Sequence, residues 1–403
     1  MKKRRILFVS LGCPKNQVDG ELMLAKLQNA GFENADNFER LDAVIVNTCA
    51  FIDSAKQEAI DTILEMVGLK KDGLVRAVIV TGCLAERYRD EILQEIPEVD
   101  AVVGIGANGD IDKIVDEVLD GKQTNVSIRG PFRSRDEESI VEEAKTLAEQ
   151  GVKELVLIAQ DVSSYGIDIY GEYRLAHLLD LLCEIDGIEW IRLLYCYPDK
   201  ITDELIDTMA SQPKVLHYID LPLQHADDKI LKAMNRHSTA EETREVIRKL
   251  RERMPDIAIR TTFIVGFPGE GDDKFETLAE FINEEEFERL GCFEYSPQEG
   301  TPAAKMENQV DDDVKSRRAE VIMQDQYEIM TEKNNNMIGK TLRVLTESYD
   351  DYTDSYSGRS YMDAPDIDGK IIFTSPDFIK EGEFVDVEIL GVNEYDLLGR
   401  TVK

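Results

Sequence analysis

The sequence predicts an α/β protein: a parallel βα sheet domain, then a second βα series, then a small all-β segment. Three observations carry this prediction. Short Val- and Ile-rich runs alternate with amphipathic helical stretches from the N-terminus to about residue 120. The same alternation restarts near Asp136 and continues to about Asn336. Beyond Ile338 helical periodicity stops, and short alternating strands lie between Gly, Asp and Ser clusters.

In the first series the expected strands are RILFVSLG (5–12), DAVIVNT (42–48), RAVIVTG (76–82) and DAVVGIG (100–106). Each is apolar on both faces, as a strand buried under helices must be. Helical stretches such as VDGELMLAKLQNAG and SAKQEAIDTILEMV follow them. Repeated βα units imply a parallel sheet covered on both sides.

The second series offers ELVLIAQ (154–160), WIRLLYC (190–196), HYIDLPL (217–223), IRTTFIVGF (259–267) and LGCFEYS (290–296) as strands. Five such units fit an incomplete βα barrel or a wide open sheet. A long polar helix, VDDDVKSRRAEVIMQDQYEIMTEKNN, follows. The last segment, with TLRVLTES, KIIFTS and EFVDVEILGV, reads as a small β-barrel or sandwich. The expected divisions are 1–122, 127–336 and 337–403.

A chain of 403 residues is too long for one compact core, in keeping with two or three domains. There is no run of about 18 apolar residues, so no membrane-crossing helix is expected. The N-terminus is basic, but the apolar stretch after it is short and no small-residue cleavage site follows, so a cytoplasmic protein is expected. With 81 acidic and 47 basic residues the net charge is −34. Such a field repels phosphate and attracts basic partners, or serves solubility alone.

Six cysteines occur, and disulfides are not expected in a cytoplasmic chain. Cys13, Cys49 and Cys83 each follow one of the first three main strands, 36 and 34 residues apart. Loops after the carboxyl ends of parallel strands share one sheet edge, so these thiols can converge. Three soft thiolates suit an iron–sulfur cluster with one open iron, or zinc with a fourth ligand elsewhere. Gly12 and Gly82 would let the backbone approach closely. Cys183 lies in a helical run, and Cys196 and Cys292 lie within expected strands; these three read as core packing. In the second series, Gln160 and Asp161 end one strand, Gln224 and His225 another, and Arg260 and Gly266–Gly269 bracket a third. Residues at strand carboxyl ends line the active face of a βα barrel.

The motifs LGCPKN, NTCAF and TGCLAER resemble the N-terminal domain of the methylthiotransferases, a radical S-adenosylmethionine (SAM) family. IAQDVSSYGIDIYG, RLLYCYPDKITDEL, IDLPLQHADDKILKAMNR, RTTFIVGFPGE and FEYSPQEGTPAAKM extend the resemblance through a radical SAM domain, and SIRGPFRSR (127–135) opens it. The final segment is similar to TRAM, a small β-barrel. The resemblance implies that Cys13, Cys49 and Cys83 hold an auxiliary 4Fe-4S cluster whose open iron carries the donated sulfur. It implies a SAM site, for which Gln160, Asp161, Gln224 and Arg260 are the candidates. Arg260 suits the SAM carboxylate, since a guanidinium grips a carboxylate with two bonds. It also implies a reductant protein as partner.

The family carries CxxxCxxC just before IRGPFRSR, and that loop binds a second 4Fe-4S cluster, the one that reduces SAM. Here Gly121 to Val126 runs straight into SIRG at 127–130, and no cysteine lies between Cys83 and Cys183. The ligands of the second cluster are absent. Radical chemistry is therefore expected to fail in this chain, which leaves a catalytically inactive, iron–sulfur, ribosomal-protein-binding homologue as an alternative.

Relatives in the family divide between transfer RNA and a ribosomal protein as substrate. Residues 337–403 hold 14 acidic and 7 basic residues. That balance disfavours RNA and favours a basic small-subunit ribosomal protein. For that branch of the family the resemblance implies methylthio addition to the β-carbon of an aspartate of small-subunit protein twelve. Transfer RNA methylthiolation is the disfavoured alternative, and no membrane partner is expected.

Overall fold

The structure, a computed structural model, describes residues 4–35, 37, 40–50, 53–121, 134–298 and 301–402. The chain divides into two compact units, Met1–Arg133 and Ser134–Lys403. Most of the SIRGPFRSR motif lies outside the described residues.

The first unit is a five-stranded parallel sheet of order β2-β1-β3-β4-β5. Its strands are β1 (Arg5–Ser10), β2 (Glu33–Asn34), β3 (Leu41–Thr48), β4 (Val75–Gly82) and β5 (Ala101–Val103). The helices are α1 (Pro14–Asn29), α2 (Asp53–Lys71), α3 (Cys83–Arg87), α4 (Arg89–Glu95) and α5 (Ile111–Leu119). Strand alternation splits the apolar runs between two cores. Val44, Val46, Val78 and Val80 pack with Ala59, Ile63 and Met66 of α2 on one face. Ala43, Ile45, Ala77 and Ile79 pack with Met23 and Leu27 of α1 and Ile111 and Val115 of α5 on the other. This two-sided burial is why the strands read as continuous apolar runs. The two-residue β2 adds to the β1 edge and leaves no such signature in the sequence.

The second unit opens with α6 (Glu137–Glu149), capped by the Asp136 carboxylate, which accepts the Ser139 N–H at 2.8 Å. An open parallel sheet of order β10-β9-β8-β7-β6 follows. Its strands are β6 (Glu154–Leu157), β7 (Trp190–Leu193), β8 (Val215–Gln224), β9 (Ala258–Val265) and β10 (Arg289–Glu294). Between them run α7 (Leu175–Cys183), α8 (Asp203–Ser211), α9 (Asp228–Ala233), α10 (Ala240–Arg253) and α11 (Asp272–Glu285), and α12 (Asp312–Asn335) packs along β10. β7 is shorter than the apolar run WIRLLYC. Tyr195 adopts a left-handed φ of 56°, so Cys196 lies beyond the strand, fully buried.

The last five strands close a barrel of order β11-β12-β13-β15-β14. They are β11 (Thr341–Asp350), β12 (Ser355–Arg359), β13 (Ile371–Thr374), β14 (Phe384–Asn393) and β15 (Asp396–Thr401). The open sheet has a different neighbour on each face. Leu155, Ile191, Leu193, Ile219, Leu221 and Ile259 face the helices. Trp190, Leu194, Leu216, Tyr218 and Ala258 instead share a core with Val344, Tyr356, Met362, Ile371 and Phe373 of the barrel. Charged residues join the same face. Arg192, fully buried, donates from Nε to Glu154 at 2.7 Å and from its Nη atoms to the backbone oxygens of Tyr361 and Ser360. Arg359 grips the other oxygen of Glu154 at 2.6 Å. Arg289 pairs with Asp363 at 2.7 Å, and the Tyr218 hydroxyl donates to Asp368 at 2.7 Å.

Candidate metal centre and strand-end site

β1, β3 and β4 are adjacent and parallel, so their carboxyl ends form one edge of the first unit. Cys13 stands just before α1, Cys49 just after β3, and Cys83 is the first residue of α3. Cys13 is exposed, Cys83 partly so, and Cys49 is buried. Both glycines of the sequence motifs have φ of +93°. A Cβ on Gly12 would meet the Cys49 side chain, 2.9 Å from its sulfur, and one on Gly82 would lie 2.7 Å from the backbone nitrogen of Thr48. The two glycines therefore let the three turns close on one another.

Polar side chains hold that closure. Asn47 donates from Nδ2 to the Asn16 carbonyl at 2.6 Å, and Asn16 Nδ2 donates to the Leu11 carbonyl. The first bond ties the Cys13 turn to the Cys49 turn, and the second closes the Cys13 turn on itself. The Thr48 hydroxyl donates to the Thr81 carbonyl at 2.5 Å and ties the Cys49 turn to the Cys83 turn. Asn16, Asn47, Thr48 and Thr81 are all buried. Their signal in the sequence is a polar residue at the end of an otherwise apolar strand run.

The thiols sense one another. Burial pushes the Cys83 thiol up to about 11, and Cys49 and Cys13 add to the rise while Lys15 opposes it. Binding a metal displaces thiol protons, so it must overcome that rise. The N-terminal end of α1 beside Cys13 favours negative charge there. Among the described residues, no three His, Cys, Asp or Glu side chains stand close enough to share one metal ion. Three thiols at one glycine-cradled edge are the soft donor set that an iron–sulfur cluster, or zinc with a further ligand, takes.

In the second unit the candidates separate. Gln160 and Asp161 lie just past β6. Asp161 accepts the Ser163 hydroxyl at 2.6 Å and the Ser164 N–H at 3.1 Å, and Ser163 Oγ accepts the Tyr197 N–H at 2.9 Å. Asp161 thus organises the loops after β6 and β7. Gln224, the last residue of β8, has a left-handed φ of 73°. The neighbouring His225 accepts the Asp227 N–H at Nδ1, which places its proton on Nε2, 3.5 Å from Glu270. Glu270 also accepts the Gly266 N–H at 2.8 Å and faces Arg318 at 3.1 Å, fixing the FPGE turn. His225 is thereby buried against the FPGE turn. Arg260 is the third residue of β9 and pairs with Asp220 at 2.8 Å and Asp368 at 3.4 Å. Burial pushes the Asp220 carboxyl up against the pull of Arg260. Gln160 and Asp161 lie in the loop after β6 and Gln224 ends β8, whereas Arg260 sits near the start of β9, away from its carboxyl end, and is engaged by two carboxylates with which a SAM carboxylate would compete.

Cys183, at the end of α7, and Cys292, in β10, pack against the helix-side core, of which Cys196 is a part.

Comparison with known proteins places these features. Residues 5–104 match the uncharacterized protein family UPF0004, 120–282 the radical SAM superfamily and 338–402 the TRAM domain. The ribosomal protein uS12 methylthiotransferase RimO of Lachnoclostridium phytofermentans is 45% identical, covering 98% of this chain and 99% of the relative. The chain belongs to the RimO family of radical SAM methylthiotransferases. The RimO of Acetivibrio thermocellus is 44% identical over 99% of both chains. Among solved structures, the radical SAM methyltransferase TsrM of Kitasatospora setae, with cobalamin and a [4Fe-4S] cluster bound, shares the fold. Its TM-score is 0.51 at 14% identity, over 72% of this chain and 75% of that one.

The two RimO alignments run over 436 and 448 positions, against 403 residues in this chain. At least 33 positions of the first (436 − 403) are therefore filled only in the relative. The residues present fit the auxiliary cluster of the family. They do not fit the SAM-reducing cluster, because no cysteine lies between Cys83 and Cys183.

Proposed function

We propose that this chain serves the methylthiolation of ribosomal protein uS12 in the cytoplasm, the modification being placed on an aspartate β-carbon. The observation that carries this reading is the convergence of Cys13, Cys49 and Cys83 at one sheet edge, cradled by Gly12 and Gly82. Cys13, Cys49 and Cys83 would hold a 4Fe-4S cluster there through three thiolates, and that cluster would supply the sulfur chemistry of the reaction. Asn16, Asn47 and Thr48 keep the three turns in register around it. SAM, the methyl source, is assigned to the strand-end loops of the second unit, with Gln160, Asp161 and Gln224 as contacts and Arg260 as a further candidate. A reductant protein is the expected electron source.

The substrate docks on the C-terminal barrel, whose residues 337–403 carry 14 acidic and 7 basic side chains. Tyr352 is fully exposed at the β11–β12 hairpin, between Asp350, Asp351 and Asp354, and Phe378 is 86% exposed. Aromatic faces set among carboxylates suit lysine- and arginine-rich protein.

The full chain, reconstituted anaerobically with iron and sulfide, is titrated with purified uS12 and separately with transfer RNA. Iron that is lost in Cys13→Ala and kept in Cys183→Ala, together with binding of uS12, is the expected result. Iron indifferent to Cys13→Ala would sink the cluster assignment, and tight transfer RNA binding without uS12 binding would move the chain to the other branch of the family.

A further inference from the structure

The family pattern asks for two clusters, and four observations bear on the second. No cysteine occurs between Cys83 and Cys183. The alignment to the Lachnoclostridium relative needs at least 33 positions that this chain lacks. The radical SAM match begins at residue 120, where the first unit's last helix has just ended at Leu119.

The fourth observation is structural. Parallel strands are joined through a helix, so a crossover helix should have a strand before it as well as after it. α7, α8, α10 and α11 each have both. α6 leads into β6 and packs on α7, yet among the described residues no strand of the second unit precedes it. β6 is correspondingly the sheet's outer strand, with β7 as its neighbour and no strand on its other side among the described residues. The described residues thus supply neither a second strand beside β6 nor, anywhere between Cys83 and Cys183, a thiol to follow one.

The remaining cysteines do not substitute. Cys183 ends α7, Cys196 is fully buried past β7, and Cys292 lies in β10. Burial pushes the thiols of Cys183 and Cys292 up to about 11 and about 12, respectively. They come from three separate parts of the unit and pack into or against its helix-side core.

We propose that this chain is a single-cluster form of its family: it keeps the auxiliary cluster and the substrate surface, and it does not reductively cleave SAM. The inference rests on the reading of Cys13, Cys49 and Cys83 as cluster ligands. It implies a role in holding sulfur and engaging the ribosomal protein, with hydrogen abstraction left to a complete enzyme.

The test is iron and sulfide content of the anaerobically reconstituted full chain, followed by incubation with SAM and dithionite. The expected result is about four irons per chain, all lost in Cys13→Ala, with no 5′-deoxyadenosine formed. About eight irons, or about four surviving in Cys13→Ala, would overturn the proposal, as would deoxyadenosine formation. No iron at all would overturn the cluster reading itself, a failure distinct from a second cluster being found. A second variant guards against a merely misfolded protein: the segment of the Lachnoclostridium relative that fills the gap is inserted between Leu119 and Glu137. It should bind about eight irons and produce deoxyadenosine. A folded insertion variant that stays at four would show that the gap is not what removes the second cluster.

Discussion

The α-carbon of Gly12 faces the side chain of Cys49 so closely that a Cβ there would stand 2.9 Å from the Cys49 sulfur. Gly12→Ala should therefore push the Cys49 turn outward and lose most of the bound iron. Gly31 is the control. Its φ is +94°, close to that of Gly12, but a Cβ would meet nothing within 4 Å. Gly31→Ala should cost about 1 kcal/mol of stability from backbone strain and leave iron content unchanged. Equal iron loss in both variants would mean that backbone conformation, not the contact with Cys49, is what matters.

Glu154 holds two buried guanidiniums, Arg192 and Arg359, across the seam between the open sheet and the β-barrel. Glu154→Gln leaves Arg192 without a carboxylate partner and Arg359 with Glu347 alone, and removing one partner of a buried pair costs about 3–5 kcal/mol. The urea midpoint should fall sharply. Arg400→Ala, which breaks a largely exposed pair with Glu388, should change it by at most about 1 kcal/mol. Similar midpoints for the two variants would show that the seam is held by its apolar core instead.

Glu137 gives the second unit an acid-sensitive contact. Burial works to raise its carboxyl, but Arg174 and His177 hold it below the ordinary value of 4.5. Its folded pKa lies under its unfolded one, so its stabilisation is present above 4.5 and is lost as pH falls through the folded value. Glu137→Gln should lower stability by about 1–3 kcal/mol near neutral pH. The gap to the parent should shrink on acidification. A gap that is constant with pH would assign the loss to packing.

Binding of uS12 should weaken as salt rises, because the opposed charges are screened. In the full chain, Asp350→Lys combined with Asp351→Lys should slow association several-fold and flatten that dependence. Unchanged kinetics would move the docking surface away from the β11–β12 hairpin.

Much of this protein was legible in its sequence because two periodicities were clean. Val- and Ile-rich runs placed β1, β3 and β4, and the spacing of Cys13, Cys49 and Cys83 followed from the strand order. The positions of Tyr195 and Gln224 were not legible: both take left-handed backbone without being glycine, and Tyr195 cuts β7 short. Nor was the partner of Arg260. It lies in part on Asp368, 108 residues downstream, and a sequence read element by element cannot say that a strand of one segment and a loop of another share a face. The same limit hid Arg192, which looks like a surface arginine in WIRLLYC and is fully buried.

The loop from Ser360 to Asp368 lies against the sheet's inner face, where Arg192, Tyr218, Arg260 and Arg289 meet it. That arrangement divides the barrel into a fixed and a free surface. Changes at the loop expose buried guanidiniums and are punished as folding defects, whatever they do for recognition. Changes on the far side, around Tyr352 and Phe378, carry no such penalty. A lineage can therefore change what this domain recognises only through its outward strands and hairpins, and its choice of partner can drift while its attachment stays constant.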